Sequence, residues 1–333
     1  MINNLPFVSI IIPCRNEERF IGKCLDSIIA QDYTKDKIEI LVVDGMSTDN
    51  TRGTLKDYIQ KNPCVKILDN SKKVTPVAMN MGIKAACGDY ILILSSHSHI
   101  DPNFVGRNIK NIIENEVDCV GGVMMTLPAN DTILAQSIAI ALSHPFGVGN
   151  AYFRIGSKEP KYVDTVPFGC YKKNVFDKIG LFNEGLIRNQ DIEFNLRLKN
   201  ANGKILLMPD IVSYYHARDS LKSLFIQNFW NGFWVIYSTK FAKVPFSMRH
   251  LIPCVFVSSL IGSASLSILS KYLLYLFVLI SGSYLASNLF FSFRVSLQKR
   301  LRYFFPLSRS FATLHFSYGL GSIWGLIKLV SSR

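Results

Sequence analysis

The last third of the chain contains no acidic residue. From Ser220 to Arg333 there is no Asp or Glu, while twelve Lys and Arg occur. Subtracting these from totals of 37 basic and 24 acidic residues leaves 25 against 24 in residues 1–219. The positive excess therefore belongs to an apolar C-terminal stretch, the pattern of a membrane appendage and not of a nucleic-acid-binding domain. Paired cysteines are also missing. The seven cysteines, at 14, 24, 64, 87, 119, 170 and 254, stand singly with no Cys-x-x-Cys, which argues against a disulfide scaffold or zinc framework. They read as free thiols in a reducing compartment. No GxGxxG follows the first strand pattern and no GxxxxGK[ST] occurs, which counts against a dinucleotide site and a P-loop. Gly319-Leu320-Gly321 fits neither context. The N-terminus, MINNLPFVSIII, lacks a basic region and a cleavage site, so no secretory signal is expected and the main domain is placed in the cytosol.

The chain has 333 residues, of which 49% are hydrophobic, and its mean hydropathy is positive. That length suits one large core with an appendage. Over the first 125 residues, apolar strand patterns alternate with helical ones. Strands are expected at 7–12, 38–43, 65–68, 90–94 and 117–123. Asn16 is expected to cap the first helix, and Asp49 or Thr51 to open the second. Further helices are expected at about 76–86 and near 104–113. Near-continuous apolar strands alternating with amphipathic helices imply a parallel sheet covered on both faces. Residues 126–165 are less regular and read as a lid or acceptor loop. Beyond them a helix near 191–200, strands near 204–208 and 211–215, and an aromatic-rich helix from about 220 are expected.

Residues 251–269 and 272–293 carry no charge, and each is long enough for a bilayer core of roughly 30 Å, which takes about 20 helical residues. Lys240, Lys243 and Arg249 precede the pair, and Arg294, Lys299, Arg300, Arg302 and Arg309 follow it. The positive-inside rule then makes a hairpin with both flanks in the cytoplasm. A buried hairpin in a soluble protein is the alternative. A third apolar stretch, 311–330, contains His315 and Lys328 and reads equally as spanning, re-entrant or interfacial. The expected domains are therefore 1–245, catalytic, and 246–333, anchoring.

Ligands of an open parallel sheet bind at the carboxyl ends of its strands. The polar clusters fall there: Pro13-Cys14-Arg15-Asn16-Glu17 after the first strand, Asp44-Gly45-Met46-Ser47-Thr48-Asp49 after the second, and Ser95-Ser96-His97-Ser98-His99 after the fourth. On these residues the chain resembles a known family. VSIIIPCRNEERFIGKCLDSI, EILVVDGMSTDNT and VAMNMGIKAACGDYILIL are similar to the nucleotide-sugar half of a family 2 glycosyltransferase. VDTVPFGCYKKNVFDKIGLFNEGLIRNQDIEFNLRLKNANGKILLMPDI is similar to its acceptor half. The likeness extends to succinoglycan-type glucosyltransferases of bacterial exopolysaccharide assembly, whose basic, apolar tail resembles HFSYGLGSIWGL.

The resemblance implies an α/β fold of the GT-A type: a Rossmann-like, mostly parallel sheet with helices on both faces, plus C-terminal transmembrane helices. It implies an inverting transferase that moves a hexose, glucose first, from a UDP-sugar to a polyprenyl-diphosphate-linked saccharide. The membrane lipid would be a partner and nucleic acid would not. The place would be the plasma membrane, with the catalytic domain on the cytoplasmic side. Pro13, Arg15 and Glu17 would line the base and ribose, and Asp44 would accept from uracil N3–H. Asp49 is equally a helix cap. Asn80 would be a donor-site residue or a buried structural amide.

Asp191, at the start of a helix in Arg188-Asn189-Gln190-Asp191, would be the base that takes the acceptor proton; a plain cap is the alternative. Gln190 replaces the family's Glu there, and Glu193 points to another helical face. The family's Asp-x-Asp metal slot reads Ser95-Ser96-His97. A divalent cation, Mn²⁺ or Mg²⁺, would then rest on His97 and His216, imidazole suiting Mn²⁺ better. Otherwise His97 and Arg218 hold the phosphates directly, with Lys72 as a further cation. Ser95, and the missing Arg after Gln227, also motivate a rival: a catalytically degenerate scaffold in a polysaccharide assembly complex. A transport component is the third reading, and the absence of ionisable residues in the two long spans opposes it.

Overall fold

The computed structural model describes residues 5–240 and 250–331. Lys243, Arg249 and the expected domain boundary at 245 lie outside the described residues. The strands are β1 (Val8–Cys14), β2 (Ile38–Asp44), β3 (Val65–Asp69), β4 (Tyr90–Ile93), β5 (Ser98–Ile100), β6 (Cys119–Leu127), β7 (Lys161–Tyr162), β8 (Cys170–Lys172) and β9 (Ile205–His216). The helices of the first half are α1 (Ile21–Ile29), α2 (Thr51–Lys61), α3 (Thr75–Ala85) and α4 (Phe104–Glu114). Then come α5 (Ile133–Leu142), α6 (Pro145–Val148), α7 (Tyr152–Ile155), α8 (Asn174–Ile179), α9 (Gln190–Asn200), α10 (Leu221–Tyr237), α11 (Ile252–Leu266), α12 (Lys271–Gln298) and α13 (Phe304–Ser331). They form two compact units: 1–125 with 156–215, and 126–155 with 216–333.

The first unit is built on a sheet of order β3-β2-β1-β4-β8-β6-β9-β5, with β7 added on β9. The pairs β3–β2, β2–β1 and β1–β4 are parallel. Beyond β4 the pairs β4–β8, β8–β6 and β9–β5 are antiparallel, so the parallel portion ends where the βα repeat ends. All seven residues of β2 are buried, as a central strand requires. Alternate residues of β1 (Val8, Ile10, Ile12, Cys14) join one core with α1, α2 and α4, and α3 packs on β1 and β2. Glu39 of β2 carries a carboxylate into the sheet interior. Glu39 is 3% exposed and accepts from Ser9 Oγ at 2.7 Å, the Cys87 N–H at 2.6 Å and Lys66 Nζ at 3.2 Å.

Two expected strands at 204–208 and 211–215 are one strand, β9. Pro209 is tolerated because it falls between the stretch paired with β7 (Leu206, Leu207) and the stretch paired with β5 (213–215). Asn16 does not cap α1. It takes a left-handed conformation (φ 54°), and α1 begins four residues later than that cap requires, at Ile21.

The second unit is helical. The segment expected to be an irregular lid folds largely as α5 to α7. Ile138, Ala139 and Leu142 of α5 share a core with Leu307, Phe311 and Leu314 of α13. His315 Nε2 meets the Phe146 carbonyl at 2.7 Å, and Tyr303 hydrogen-bonds Gln136. α10 and α13 approach backbone to backbone. A Cβ on Gly321 would stand 1.9 Å from the Phe229 carbonyl oxygen, and one on Gly232 would stand 2.1 Å from that of Tyr318. α12, with 28 residues, is the one helix among the described residues that is long and apolar enough to cross a membrane. The first expected span folds as the 15-residue α11, about 22 Å long, short of a bilayer core. The third apolar stretch, 311–330, lies in α13, which buries one side from Leu307 to Gly325.

Candidate active site

The carboxyl ends of β1, β2 and β4 are tied together by their own loops. Asn16 Oδ1 accepts from the Thr48 N–H at 2.8 Å, and the Asn16 N–H donates to Ser47 Oγ at 2.9 Å. Asp49 accepts from the N–H groups of Glu18 and Thr51 at 3.2 and 3.0 Å. Asp49 is thus the cap-like residue that opens α2, one of its two expected readings. Gly45 leaves room for Arg15: a Cβ there would stand 3.1 Å from Arg15 Cδ. The thiol of Cys14 is pushed far above its usual range by burial and then by the charges of Asp44, Glu17 and Asp49. Buried and kept protonated, it is an inert thiol.

Asp44 is fully buried. It accepts from the Ser47 N–H at 3.1 Å and from Ser47 Oγ, and Arg52 Nη1 lies 3.4 Å from its Oδ2. Ser47 and Arg52 were not singled out from the sequence. Ser47 stands there as one of the polar cluster after β2, and Arg52 draws no reading.

After β4, Ser95 Oγ lies 3.2 Å from His97 Nδ1, and that nitrogen is 3.2 Å from Glu17 Oε1. Glu17, expected to line the nucleotide, is thus the partner of His97. Pro13 and Arg15 flank it on the β1 loop, half-buried and exposed respectively. No group of three or more His, Cys, Asp or Glu able to hold a metal occurs among the described residues. His97 and Glu17 still supply one imidazole and one carboxylate on the same edge. Two such donors fit a cation that takes its remaining ligands from a diphosphate and water.

Asp191 stands in the first turn of α9, preceded by Asn189 in a left-handed conformation (φ 59°). Solvent reaches its side chain. Surrounding protein nonetheless raises the carboxyl pKa above the aspartate norm, only partly offset by the N–H groups of Ile192 and of Asp191 itself. The charge is felt by the buried Tyr171, whose hydroxyl donates to Asn195 Oδ1 at 2.8 Å. Beside it, Gln190 Oε1 is shielded and without a partner among the described residues. Glu193 is buried and locked to Arg197, Oε1 to Nε at 2.6 Å, a structural role. The Asn80 amide is used by the acceptor half: it donates to the Phe182 carbonyl at 2.9 Å and accepts from the Phe182 N–H at 3.0 Å. Lys72 pairs with Glu184 at 3.3 Å. His216 and Arg218 belong to the second unit, where Arg218 Nε donates to Gln227 at 3.2 Å.

A sheet whose parallel half ends in a polar edge and continues into an antiparallel half has the architecture of the GT-A type. The fold is similar to that of the mannosyltransferase PcManGT from Pyrobaculum calidifontis, solved with GDP-Man and Mn²⁺. The TM-score is 0.62 at 16% identity, over 97% of this chain and 88% of that one. Residues 9–180 match the profile of glycosyl transferase family 2. The dolichyl N-acetyl-α-D-glucosaminyl phosphate 3-β-D-2,3-diacetamido-2,3-dideoxy-β-D-glucuronosyltransferase of Methanococcus voltae is 35% identical, over 66% of this chain and 70% of its own. The succinoglycan biosynthesis protein ExoA of Rhizobium meliloti (strain 1021) is 25% identical over 67% of each. The chain belongs to glycosyl transferase family 2 and is a glycosyltransferase.

Proposed function

We propose that the protein is an inverting hexosyltransferase. It moves a hexose, glucose being the first to test, from a UDP-sugar onto a lipid-linked saccharide in exopolysaccharide or cell-surface glycan assembly. The observation that carries this is Asp191, a solvent-reachable carboxylate whose surroundings raise its basicity at the start of α9. A base so placed takes the proton of an acceptor hydroxyl as its oxygen attacks the anomeric carbon. The nucleoside diphosphate leaves from the opposite face, and the configuration inverts. Gln190 Oε1 is the acceptor for a second hydroxyl of the incoming sugar. Asp44 accepts from the uracil N3–H, and Pro13 and Arg15 flank the nucleoside.

A divalent cation, Mn²⁺ before Mg²⁺, would be held by His97 with Glu17 and would neutralise the charge of the leaving diphosphate. His97, hydrogen-bonded to Glu17 and to Ser95, orients the diphosphate in either case. His216 and Arg218, in the second unit, are tested separately by alanine substitution. The lipid-linked acceptor is supported by the dolichyl phosphate substrate for which the Methanococcus voltae relative is named and by the exposed apolar α12. That helix, with the basic flanks, supports a place at the cytoplasmic face of the plasma membrane.

The test is calorimetric titration of UDP into the detergent-solubilised full chain, with and without Mn²⁺. Transfer from UDP-glucose to polyprenyl-diphosphate saccharides is then assayed. UDP binding with measurable transfer is expected. Binding without transfer to any lipid-linked saccharide would overturn the acceptor assignment. No UDP binding in either condition would overturn the uridine assignment.

A further inference from the structure

Asp44 is the group proposed to meet a nucleobase, yet it is fully shielded. Its register partner across the parallel ladder is Asp69, and both carboxylates close on one guanidinium. Arg52 Nη2 donates to Asp69 Oδ1 at 2.7 Å, a full charge-assisted hydrogen bond. Nη1, in contrast, stands off at 3.4 Å from Asp44 Oδ2. The two Asp44 oxygens are therefore unlike. Oδ1 is held tightly by Ser47 Oγ, while Oδ2 has the Ser47 N–H at 3.1 Å and the loose Arg52 contact. A donor from a ligand can replace Nη1 at Oδ2 while Arg52 stays anchored on Asp69. Met46, exposed and left-handed (φ 57°), has its sulfur 4.0 Å from Nη1 and walls the same spot.

An acceptor at Oδ2 beside a displaced donor at Nη1 complements one particular edge: a ring N–H next to a carbonyl. Uracil (N3–H with O4) and guanine (N1–H with O6) carry that lactam edge. Cytosine and adenine carry the reverse, a bare ring nitrogen beside an amino group. Those bases would set a lone pair against Asp44 and an N–H against Arg52. We propose that Arg52 is the second half of a base reader with Asp44, held ready by Asp69, and that it selects lactam nucleotides. This rests on the nucleotide-sugar reading above and names a residue that sets its donor specificity.

The test is calorimetry of UDP, GDP, CDP and ADP on the full chain in detergent. The proteins are wild type, Arg52→Met, Arg52→Lys and Asp69→Asn, each checked for an unchanged thermal midpoint. A variant that melts early is replaced by Arg52→Gln. Wild type should prefer UDP or GDP over CDP and ADP by about tenfold to a hundredfold, the range of one well-made base contact. Arg52→Met should lower that ratio severalfold, Asp44 alone keeping the remainder, with Arg52→Lys and Asp69→Asn in between. GDP bound in preference to UDP would support the reader while correcting the nucleoside. A lactam preference unchanged in Arg52→Met would overturn the role of Arg52 and leave the nucleotide-sugar reading standing. Wild type that binds CDP or ADP as tightly as UDP and GDP would overturn the reader altogether. Wild type that binds none of the four would overturn the nucleotide-sugar reading and the inference with it.

Discussion

Replacing Asp191 by Asn keeps the shape of the side chain and removes only its ability to hold a proton. Positioned base catalysis is worth roughly 10²–10⁴-fold, which is about 2.7–5.4 kcal/mol of barrier at 1.36 kcal/mol per decade. Turnover of Asp191→Asn should fall by that factor while UDP affinity stays within about twofold, a pure loss in kcat. Because the surrounding protein raises the Asp191 pKa, the acid limb of the wild-type kcat/KM profile should lie above the ordinary aspartate range. The same shift has a thermodynamic consequence with a definite sign. A carboxyl with a raised pKa in the fold favours folding when protonated, and that contribution is lost as pH rises through the folded value. At neutral pH the wild type therefore carries a penalty for an ionised Asp191 that the Asn variant does not. Asp191→Asn should melt higher than wild type at pH 7, and the two should converge below about pH 3.9, where unfolded Asp is protonated too. Scanning calorimetry across pH, paired with a radiolabelled-sugar transfer assay, reads both effects. Wild-type turnover would refute the base assignment, and a variant less stable at pH 7 would refute the argument from burial.

Four other outcomes are expected. Glu39→Gln should cost about 1.5–3 kcal/mol at neutral pH, the worth of hydrogen bonds to a charged acceptor. Burial works against the Glu39 charge, but its hydrogen bonds and Lys66 lower the pKa overall, so the difference from wild type should shrink as pH falls below about 4.3, which denaturant titration at two pH values checks. Gly321→Ala should lower the thermal midpoint by an overpacking cost of about 1–3 kcal/mol, because its Cβ meets the Phe229 carbonyl. Gly262→Ala, in α11 with nothing within 4 Å, should be neutral or stabilising by up to about 1 kcal/mol. The full chain should stay with the membrane pellet after carbonate extraction at high pH, and release into the supernatant would refute insertion of α12.

The sequence patterns that foretold the fold were local ones. β1 to β4 and α1 to α4 lie close to their expected bounds, because each strand and the helix after it repeat at short range. Asn16 failed as a cap because its side chain turns to the Thr48 N–H, a partner thirty-two residues away that no helical pattern reports. Residues 126–165 read as irregular for the same reason: the apolar positions of α5 are matched to Phe311 and Leu314, far along the chain. At the site, residue types pointed to Asp44, His97 and Asp191. Side-chain partnership was invisible, so the contact of Glu17 with His97 had no counterpart in the sequence pattern. Arg52 draws no reading from the sequence, because its partners Asp44 and Asp69 come from two neighbouring strands.

The second unit draws on two pieces of chain, 126–155 and 216–333, separated by residues 156–215, and this orders events at the ribosome. α5 and α6 emerge early with apolar side chains whose partners do not yet exist. His315 meets Phe146 across 169 residues, so at roughly 5–20 residues per second that contact waits about 8–34 s. During that interval the half-built protein exposes a greasy helical segment, an invitation to a chaperone or to the bilayer surface. A soluble fragment cut near residue 245 would be frozen in that condition permanently. Whoever wishes to crystallise the catalytic half alone should remove 126–155 together with the tail, or keep both.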